Sequence, residues 1–330
     1  MESYAITFAV VAPAVFILTA LFLRFLIPVL KSRKIGQKIL DIGPRWHKSK
    51  EGTPIMGGIG FILPSLLVAA GFFLWQWTRG ESASYIPLAL TLAFAVMNGA
   101  IGFVDDYFKL IKKQNEGLTA KQKLFLQFVI AGAYLCVLSY TGHFETAWQI
   151  PFTDFSLELG WFSYPIALVL LVGVVNGGNL TDGIDGLASS VTCVIGGFFA
   201  LLAFCTMDSG LSVLSGILIG ATLGFLIYNF HPAKVFMGDT GSLFLGALVI
   251  GGAFQIGAPL VGILLSMVFL LEMLSSFLQI FYFRLTHGKR LFRMAPVHHH
   301  FEKCGWSEYR IVAVFSFVEL LFCVLAWFAL

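Results

Sequence analysis

The chain has 330 residues, of which 58% are hydrophobic and 12% are charged, and its mean hydropathy is +0.87. The core of a water-soluble domain cannot absorb that much apolar surface, so the composition excludes a soluble protein and indicates one that crosses a membrane several times. The formal net charge is only +3, and we expect partners in the membrane and no nucleic acid.

A transmembrane helix needs about 20 apolar residues, and ten stretches of roughly that length follow one another along the chain. They are rich in Leu, Val, Ile and Phe and do not alternate in polarity, which favours helices over barrel strands. The stretches are 4–30, 54–77, 85–104, 123–141, 163–181, 187–207, 211–230, 241–257, 259–285 and 309–329. The sequence therefore predicts an all-α polytopic membrane protein with about ten transmembrane helices, in which one domain covers residues 1–330.

The basic residues lie almost entirely on one side of these spans. Arg79 alone falls on the opposite side, which leaves 20 of the 21 Lys and Arg in or beside the connections of one face. Those connections are 31–53, 105–122, 182–186, 231–240 and 286–308. By the positive-inside rule this face is cytoplasmic and both termini are outside. On the outer face, the loop 142–162 forms either a short hairpin or an interfacial helix, and the tryptophans near the outer span ends are expected in an interfacial belt.

The first cytoplasmic connection is basic and rich in glycine just before the second span. Exposed backbone amides beside Lys48 and Lys50 can hold a phosphate or another anion, and Thr53 is a candidate N-cap of the next helix. Positive-inside residues followed by a helix cap explain the same pattern. Both interpretations stay open for this segment.

The second connection begins with the adjacent carboxylates of Asp105 and Asp106. Such a pair repels unless a cation lies near it, so it gains most from Mg²⁺ or a lysine. Negative charge is disfavoured at a helix C-terminus, which weakens the alternative of an exposed acidic cap. The lysines that follow can neutralise a lipid phosphate, although positive-inside topology predicts them too. They are Lys112, Lys113, Lys121 and Lys123, which come after Lys109 at the end of the motif 102–109.

The third connection places Asn179, Asp182 and Asp185 three residues apart, so they share a face if the turn is helical. Gly183 and its neighbouring glycines let the backbone approach a ligand closely. Carboxylates beside hydrocarbon are functional candidates by default. The group suits recognition of a hard cation or of ribose and phosphate, and a polar turn between two spans is the simpler alternative.

The fourth connection carries Asn229, Phe236 and Asp239. Asp239 stands at the entrance of the next span, where a helix N-terminus adds partial positive charge to a bound phosphate. A plain N-cap role for this Asp is the competing interpretation. Phe236 is placed either to stack on a planar ring or to pack against lipid.

The fifth connection contains His298, His299 and His300 in succession. Three consecutive histidines cannot all face one metal in a regular helix, so a zinc site is not indicated. They are able to hydrogen-bond phosphate oxygens or to stabilise a fold-back of the loop. Glu272 and Glu319 lie inside spans and are solitary, so we expect each to form a hydrogen bond between helices.

Taken together, these motifs resemble the polyprenyl-phosphate N-acetylhexosamine-1-phosphate transferase superfamily. The resemblance lies in the Asp-Asp pair at 105–106, Asn-Leu-Thr-Asp-Gly-Ile-Asp-Gly at 179–186, Met-Gly-Asp-Thr-Gly-Ser at 237–242 and the His-rich last loop. Within it, Gly-Thr-Pro-Ile-Met-Gly-Gly at 52–58 and Ala-Pro-Val-His-His-His-Phe-Glu at 295–302 are similar to the phospho-N-acetylmuramoyl-pentapeptide transferases. The match runs in order along essentially the whole chain. Ile55 stands where Thr is common in that family, which is a minor departure.

The resemblance implies a homodimeric enzyme of the bacterial inner membrane with a Mg²⁺-dependent site on the cytoplasmic face. Its substrates would be UDP-N-acetylmuramoyl-pentapeptide and undecaprenyl phosphate, and its products lipid I and UMP. The metal is assigned to Asp239, and the catalytic centre to Asp105, Asp106, Asp239 and His298. The remaining motif residues are assigned to substrate binding: Lys48, Thr53, Lys113, Lys121, Asn179, Asp182, Gly183, Asp185, Asn229, Phe236, His299 and His300.

Two questions remain open from the sequence. Direct in-line displacement is the favoured mechanism, and a covalent phospho-aspartate intermediate is its rival. A sister transferase that uses UDP-N-acetylglucosamine shares the metal site and differs in the last loop. An ion-coupled transporter also has carboxylates within the membrane, but it would place them near the bilayer midplane, often with internal repeats.

Overall fold

The computed structural model describes residues 3–32, 50, 52–80, 85–112 and 117–330. Two predicted site residues, Lys48 and Lys113, lie outside these described residues. Within them the chain is predominantly helical, with one short hairpin, which confirms the all-α prediction. The helices are α1 Ser3–Ser32, α2 Ile59–Arg79, α3 Ile86–Lys112, α4 Ala120–Tyr140, α5 Ser163–Thr181, α6 Leu187–Thr206, α7 Ser209–Asn229, α8 Gly238–Gln255, α9 Val261–Leu264, α10 Met267–Leu285, α11 Val297–Lys303 and α12 Glu308–Phe328.

Nine helices of the described part of the chain are long and apolar enough to cross a membrane, namely α1 to α7, α10 and α12. Together with α8 they correspond to the ten predicted stretches, so the protein is a multi-pass membrane protein. α8 is less apolar because it carries Asp239 and Gln255 near its ends and five glycines along its length. Its residues 240 to 254 are all buried, so protein rather than lipid surrounds this helix.

The close packing of α3 against α8 depends on glycine. A side chain at Gly102 of α3 would collide with the backbone carbonyl of Asp239 at the start of α8. The absence of a Cβ lets the two helices approach within backbone contact, which brings the carboxylates of both helices to one place.

Two boundaries differ from the sequence prediction. α3 continues to Lys112 instead of ending near residue 104, so Asp105 and Asp106 lie within the helix and not past its end. They are only 3% and 2% exposed. Contacts with protein therefore offset the cost of burying these two charges in a segment whose sequence resembles a loop. The predicted span 259–285 is broken, because Ser266 leaves helical geometry between α9 and α10.

The outer loop 142–162 contains a hairpin, one of its two predicted alternatives. Its strands are β1 Ala147–Gln149 and β2 Ser156–Glu158, paired antiparallel with Trp148 opposite Leu157. Trp148 is buried, its ring packs edge-on against Phe254, and its Nε1 donates to the carbonyl of Glu145 at 3.0 Å. The interfacial expectation was therefore wrong for Trp148.

Candidate active site

Three carboxylates from two helices meet at one end of α8. Asp105 and Asp106 come from α3 and Asp239 from the first turn of α8, and their oxygens lie within 4.8 Å of one another. Asp106 accepts hydrogen bonds from the backbone N–H of Thr240 at 3.0 Å and from its hydroxyl at 2.7 Å. Asp106 thus satisfies an otherwise free N–H in the first turn of α8. Asp239 lies beyond the N-cap residue Met237, so the plain N-cap interpretation was wrong.

Two lysines complete this group, which we call the acid centre: Asp105, Asp106, Asp239, Lys109 and Lys123. Lys109 Nζ lies 2.6 Å from Asp105 Oδ2 and 3.1 Å from Asp239 Oδ2. Lys123 Nζ lies 2.7 Å from Asp239 Oδ2. From the sequence, Lys123 was predicted only as one of the lysines able to neutralise a lipid phosphate, and Lys109 was assigned no role. Lys109 follows Asp105 by four residues, and that spacing on a helix could have identified it.

The predicted lysine Lys121 is placed differently. It is exposed on the first turn of α4 and forms no hydrogen bond or ion pair with any described residue. Its neighbour Lys123 points into the acid centre instead. A role for Lys121 in binding the lipid or the diphosphate stays a prediction.

The residues of the third connection separate in the structure. α5 ends at Thr181, so the turn is not helical and the condition for one shared face is not met. Asn179 Nδ2 donates to Asp239 Oδ1 and to Ser242 Oγ, each at 2.8 Å, and thereby joins the acid centre. Asp185 points away from it, toward a second group of charges.

Asp182 lies between these two groups, just after α5. Its carboxyl group has no hydrogen bond or ion pair with any residue in the described ranges. Burial, followed by the charges of Asp239 and Asp106, raises the pKa of Asp182 well above its usual range. Among the described residues, this carboxyl group thus keeps free hydrogen-bonding capacity next to the acid centre.

The second group, which we call the loop cluster, consists of Lys50, Asp185, His231 and Glu308. Lys50 Nζ bridges Asp185 Oδ1 at 2.7 Å and Glu308 Oε2 at 2.8 Å. Asp185 Oδ2 accepts from the N–H of Ala233 at 3.0 Å and lies 2.9 Å from His231 Nδ1. The cluster ties the first, third and fourth connections to the start of α12.

Other predicted pocket residues join the same connections. Asn229 is buried; its Oδ1 accepts from the N–H of Gly186 at 3.0 Å and its Nδ2 donates to the carbonyl of Val235 at 3.0 Å. Both ends of this amide are thus engaged by backbone.

Phe236 is half-buried, and its N–H donates to the carbonyl of Pro54 at 2.8 Å. This bond places Thr53 beside the fourth connection. Thr53 is not an N-cap, because α2 begins at Ile59 with Gly58 as its N-cap.

The three histidines of the last loop lie on α11 and point to different partners. His298 is buried, and its Nδ1 lies 3.0 Å from Glu272 Oε2. His299 Nδ1 lies 2.5 Å from Glu302 Oε2, and His300 Nδ1 accepts from the N–H of Arg293 at 3.1 Å. They do not converge, in agreement with the weak case for zinc.

His298 packs against the third connection. Its Nε2 has no hydrogen-bond partner among the described residues and packs so closely on Gly183 that a Cβ there would collide with the ring. The structure thus brings His298 to the loop that carries Asp182.

Comparison with known proteins agrees with this geometry. A family model described as glycosyl transferase family 4 matches residues 88–257, which include most of α3, all of α8 and the whole acid centre. A phospho-N-acetylmuramoyl-pentapeptide-transferase of Halalkalibacterium halodurans is 42% identical over 311 residues, which cover 94% of each chain. The chain belongs to this transferase family.

Further members of the phospho-N-acetylmuramoyl-pentapeptide-transferase family match over similar lengths. The Bacillus subtilis protein is 42% identical over 310 residues, with 94% of each chain covered. The Listeria innocua protein is 41% identical over 321 residues, which cover 97% of this chain and 96% of the relative. The similarity therefore extends over nearly the whole chain and is not confined to the acid centre.

Proposed function

We propose that this membrane protein transfers phospho-N-acetylmuramoyl-pentapeptide from its UDP-activated form to undecaprenyl phosphate. The products are lipid I and UMP, and the reaction is the first membrane step of peptidoglycan synthesis. The observation that carries the proposal is the acid centre, three carboxylates and two lysines at the end of a buried helix, in a chain whose relatives bear this activity in their names.

The donor set of the acid centre fits Mg²⁺. Asp105, Asp106 and Asp239 offer hard carboxylate oxygens, and Mg²⁺ is usually bound through one or two carboxylates together with substrate phosphates. When bound, Mg²⁺ neutralises charge on the diphosphate and polarises its phosphorus–oxygen bonds. We assign Asp239 as the residue that holds it, because Asn179 orients this carboxylate from one side while Lys109 and Lys123 contact it from the other.

The residues of the acid centre can perform the transfer by positioning and charge neutralisation. An oxygen of undecaprenyl phosphate attacks the phosphorus attached to the sugar, and the bond from that phosphorus to the UMP oxygen breaks. Lys109 and Lys123 stabilise the charge that develops on the phosphate oxygens. A phosphate monoester has a second pKa near 6, so the lipid phosphate is largely dianionic at neutral pH and needs little help from a base.

For the nucleoside of the donor we propose the space around Thr53 and Phe236, next to the loop cluster. Asp185 and Asn229 hold the surrounding connections through their bonds to Lys50, Ala233, Gly186 and Val235. His298 would flank the sugar-phosphate end, since it lies against Gly183.

Transfer is tested with purified protein, Mg²⁺ and undecaprenyl phosphate, offered either UDP-N-acetylmuramoyl-pentapeptide or UDP-N-acetylglucosamine. We expect UMP release with the first donor and little or none with the second, because a site that hydrogen-bonds a substrate group rejects analogues lacking it by large factors. Efficient transfer from UDP-N-acetylglucosamine would contradict the muramoyl assignment.

The same preparation distinguishes the two mechanisms. Direct displacement needs both substrates together, so exchange of labelled UMP into the donor should require the lipid phosphate or lipid I. Exchange by lipid-free enzyme, accompanied by a phospho-sugar adduct on Asp105 or Asp106 in mass spectrometry, would establish the covalent route instead.

We further propose a homodimer in the bacterial plasma membrane, with the active site on the cytoplasmic face and both termini outside. The excess of basic residues on the face of the acid centre supports this orientation. Native Cys304 is exposed on that face, and Asp154 is exposed in the outer loop.

The orientation is tested by labelling intact cells with a membrane-impermeant thiol reagent. A variant whose only cysteine is the native Cys304 should stay unlabelled. A variant without native cysteines that carries Asp154→Cys should react. The reverse pattern would overturn the orientation. Sedimentation of the purified protein in detergent measures its oligomeric state.

A further inference from the structure

Helix α11, which carries the three histidines, is not capped by its own residues. Its N-cap is Pro296, which has no side-chain hydrogen bond to offer. The N–H of Val297 donates to Ser275 Oγ at 2.9 Å, and that of His298 lies 3.5 Å from Glu272 Oε2. The first N–H groups of a helix lack partners within the helix. Side chains of α10 therefore cap α11 from outside.

Helix α10 begins in the same way. Its N-cap Ser266 makes no side-chain cap, and the N–H of Val268 donates at 2.9 Å to Glu319 Oε2 of α12. Glu319 is fully buried. No water is available within the hydrocarbon region, so an N–H group exposed by a break in a spanning helix must be satisfied by protein. Glu319 supplies that acceptor at the break after α9.

These two contacts form one series. Val268 and Glu272 are four residues apart and lie on the same face of α10. Glu319, which accepts from the N–H of Val268, therefore also fixes the turn of α10 that carries Glu272 and caps α11. α12 thus caps α10, and α10 caps α11. The series ends at the ring of His298.

Glu272 determines which nitrogen of His298 remains available. A carboxylate only accepts hydrogen bonds, so the contact of 3.0 Å between Glu272 Oε2 and His298 Nδ1 places a proton on Nδ1. Nε2 is left without a partner among the described residues and packs against Gly183, beside Asp182. The tautomer and the direction of the ring are both set from α10.

We propose that Glu272 and Glu319 are positioning residues for His298. Glu272 fixes the ring and its tautomer, and Glu319 fixes the broken end of α10 from which Glu272 projects. Neither residue touches the substrate. The inference rests on the proposed role of His298 at the sugar-phosphate end of the donor, and it assigns the last spanning helix a part in the reaction.

The test compares Glu319→Met, which removes the acceptor, with Glu319→Gln, which retains one. UMP release is measured with UDP-N-acetylmuramoyl-pentapeptide and undecaprenyl phosphate, and backbone hydrogen exchange is followed in the segment 294–303. For Glu319→Met we expect kcat to fall roughly 10- to 100-fold with little change in KM for the donor, the scale of leaving one buried donor unsatisfied. Exchange in 294–303 should quicken, while α8 keeps its protection. Glu319→Gln should stay within about threefold of the wild type in kcat.

Two further variants keep the result unambiguous. Gln76→Leu breaks a buried hydrogen bond to Tyr85 near the far end of α2, and it should change neither kcat nor exchange in 294–303. If Glu319→Met does not fold, Glu319→Asp takes its place in the same measurements. That change keeps the carboxyl group but withdraws it from Val268, so the same two effects are expected.

The outcomes separate the inference from the function on which it rests. Wild-type kcat and exchange in the variants lacking the acceptor would overturn the inference, and so would an equal loss of protection in α8 and α11. His298→Ala should lower kcat at least as much as Glu319→Met does. If His298→Ala leaves kcat unchanged, the proposed role of His298 fails, whatever Glu319 does to α11.

Discussion

The acid centre and the loop cluster resemble each other in composition and differ in the number of carboxylates that they hold together. In each group, three acidic or histidine side chains bring ligand atoms within 4.8 Å of one another. Each group also has a lysine that contacts two carboxylates. In the loop cluster one lysine bridges both carboxylates, and both oxygens of Asp185 accept hydrogen bonds. Its charges and lone pairs are largely satisfied by the protein itself.

The acid centre gathers three carboxylates at one point, against two in the loop cluster. Its three carboxylates face two lysines, and Asp182 stands nearby without a partner in the described part of the chain. Like charges held together are costly unless a cation is bound. The number of carboxylates held at one point therefore distinguishes a group that is suited to take up a cation from one that fastens loops together.

The largest effect is expected from Asp239→Asn, which keeps the volume of the side chain and removes its charge. Mg²⁺-dependent UMP release should fall by at least ~10²-fold, the scale of losing one main electrostatic stabiliser. The matched control is Asp154→Asn in the exposed outer loop, which should leave turnover unchanged. Near-normal turnover of Asp239→Asn at saturating Mg²⁺ would reassign the metal to Asp105, Asp106 or Asp182.

A smaller but still large effect is expected from Lys109→Met. This substitution leaves Asp105 and Asp239 with one cation fewer, so kcat should fall by about 10- to 100-fold through lost stabilisation of the phosphates. The released carboxylates should bind Mg²⁺ at least as tightly as before, which a titration of activity against Mg²⁺ measures. The matched control is Lys31→Met, in the exposed last turn of α1, and Lys121→Met is measured in parallel to test the role predicted for that lysine. A greater loss from Lys121→Met would exchange the roles of the two lysines.

The sequence predicted the spans well because the thickness of hydrocarbon sets the length of an apolar run. It failed at the end of α3, where the charged residues from Asp105 to Lys112 resembled a loop although Asp105 and Asp106 are buried against protein. Local spacing was enough to find the Asp-Asp pair and would have found Lys109 four residues later.

Contacts between distant segments could not be predicted in this way. Glu272 and His298 are 26 positions apart and Glu319 and Val268 are 51 apart, and no periodicity in the sequence pairs them. Both glutamates appeared solitary, and the predicted hydrogen bond between helices is confirmed for each. Their partners become visible only once the breaks before α10 and α11 are placed in three dimensions.

Asp182→Asn should affect stability and activity in opposite directions. Burial and the neighbouring charges raise the pKa of Asp182 because they disfavour its ionised form, so a neutral amide should raise the free energy of unfolding by about 1 kcal/mol. Thermal unfolding in detergent measures this change, and UMP release should fall at the same time. Asp185→Asn, in the satisfied cluster, should lower the melting temperature instead. A fall for both variants would show that Asp182 is as fully engaged as Asp185.

The smallest effect is expected from Glu308→Gln in the loop cluster. The N–H of Asp185 donates to Glu308 Oε2 at 3.2 Å, and the amide oxygen of Gln can still accept this hydrogen bond. Lys50 keeps its ion pair with Asp185. The free energy of unfolding should therefore fall by only about 1 kcal/mol. kcat should stay within about threefold of the wild type, while KM for the UDP-linked donor rises a few-fold because the cluster borders the proposed nucleoside pocket. Steady-state kinetics and thermal unfolding measure both, with the exposed Glu158→Gln as control. A loss of kcat comparable to that of Asp239→Asn would mean that the loop cluster takes part in the chemistry, since fastening loops alone does not slow the chemical step by two orders of magnitude.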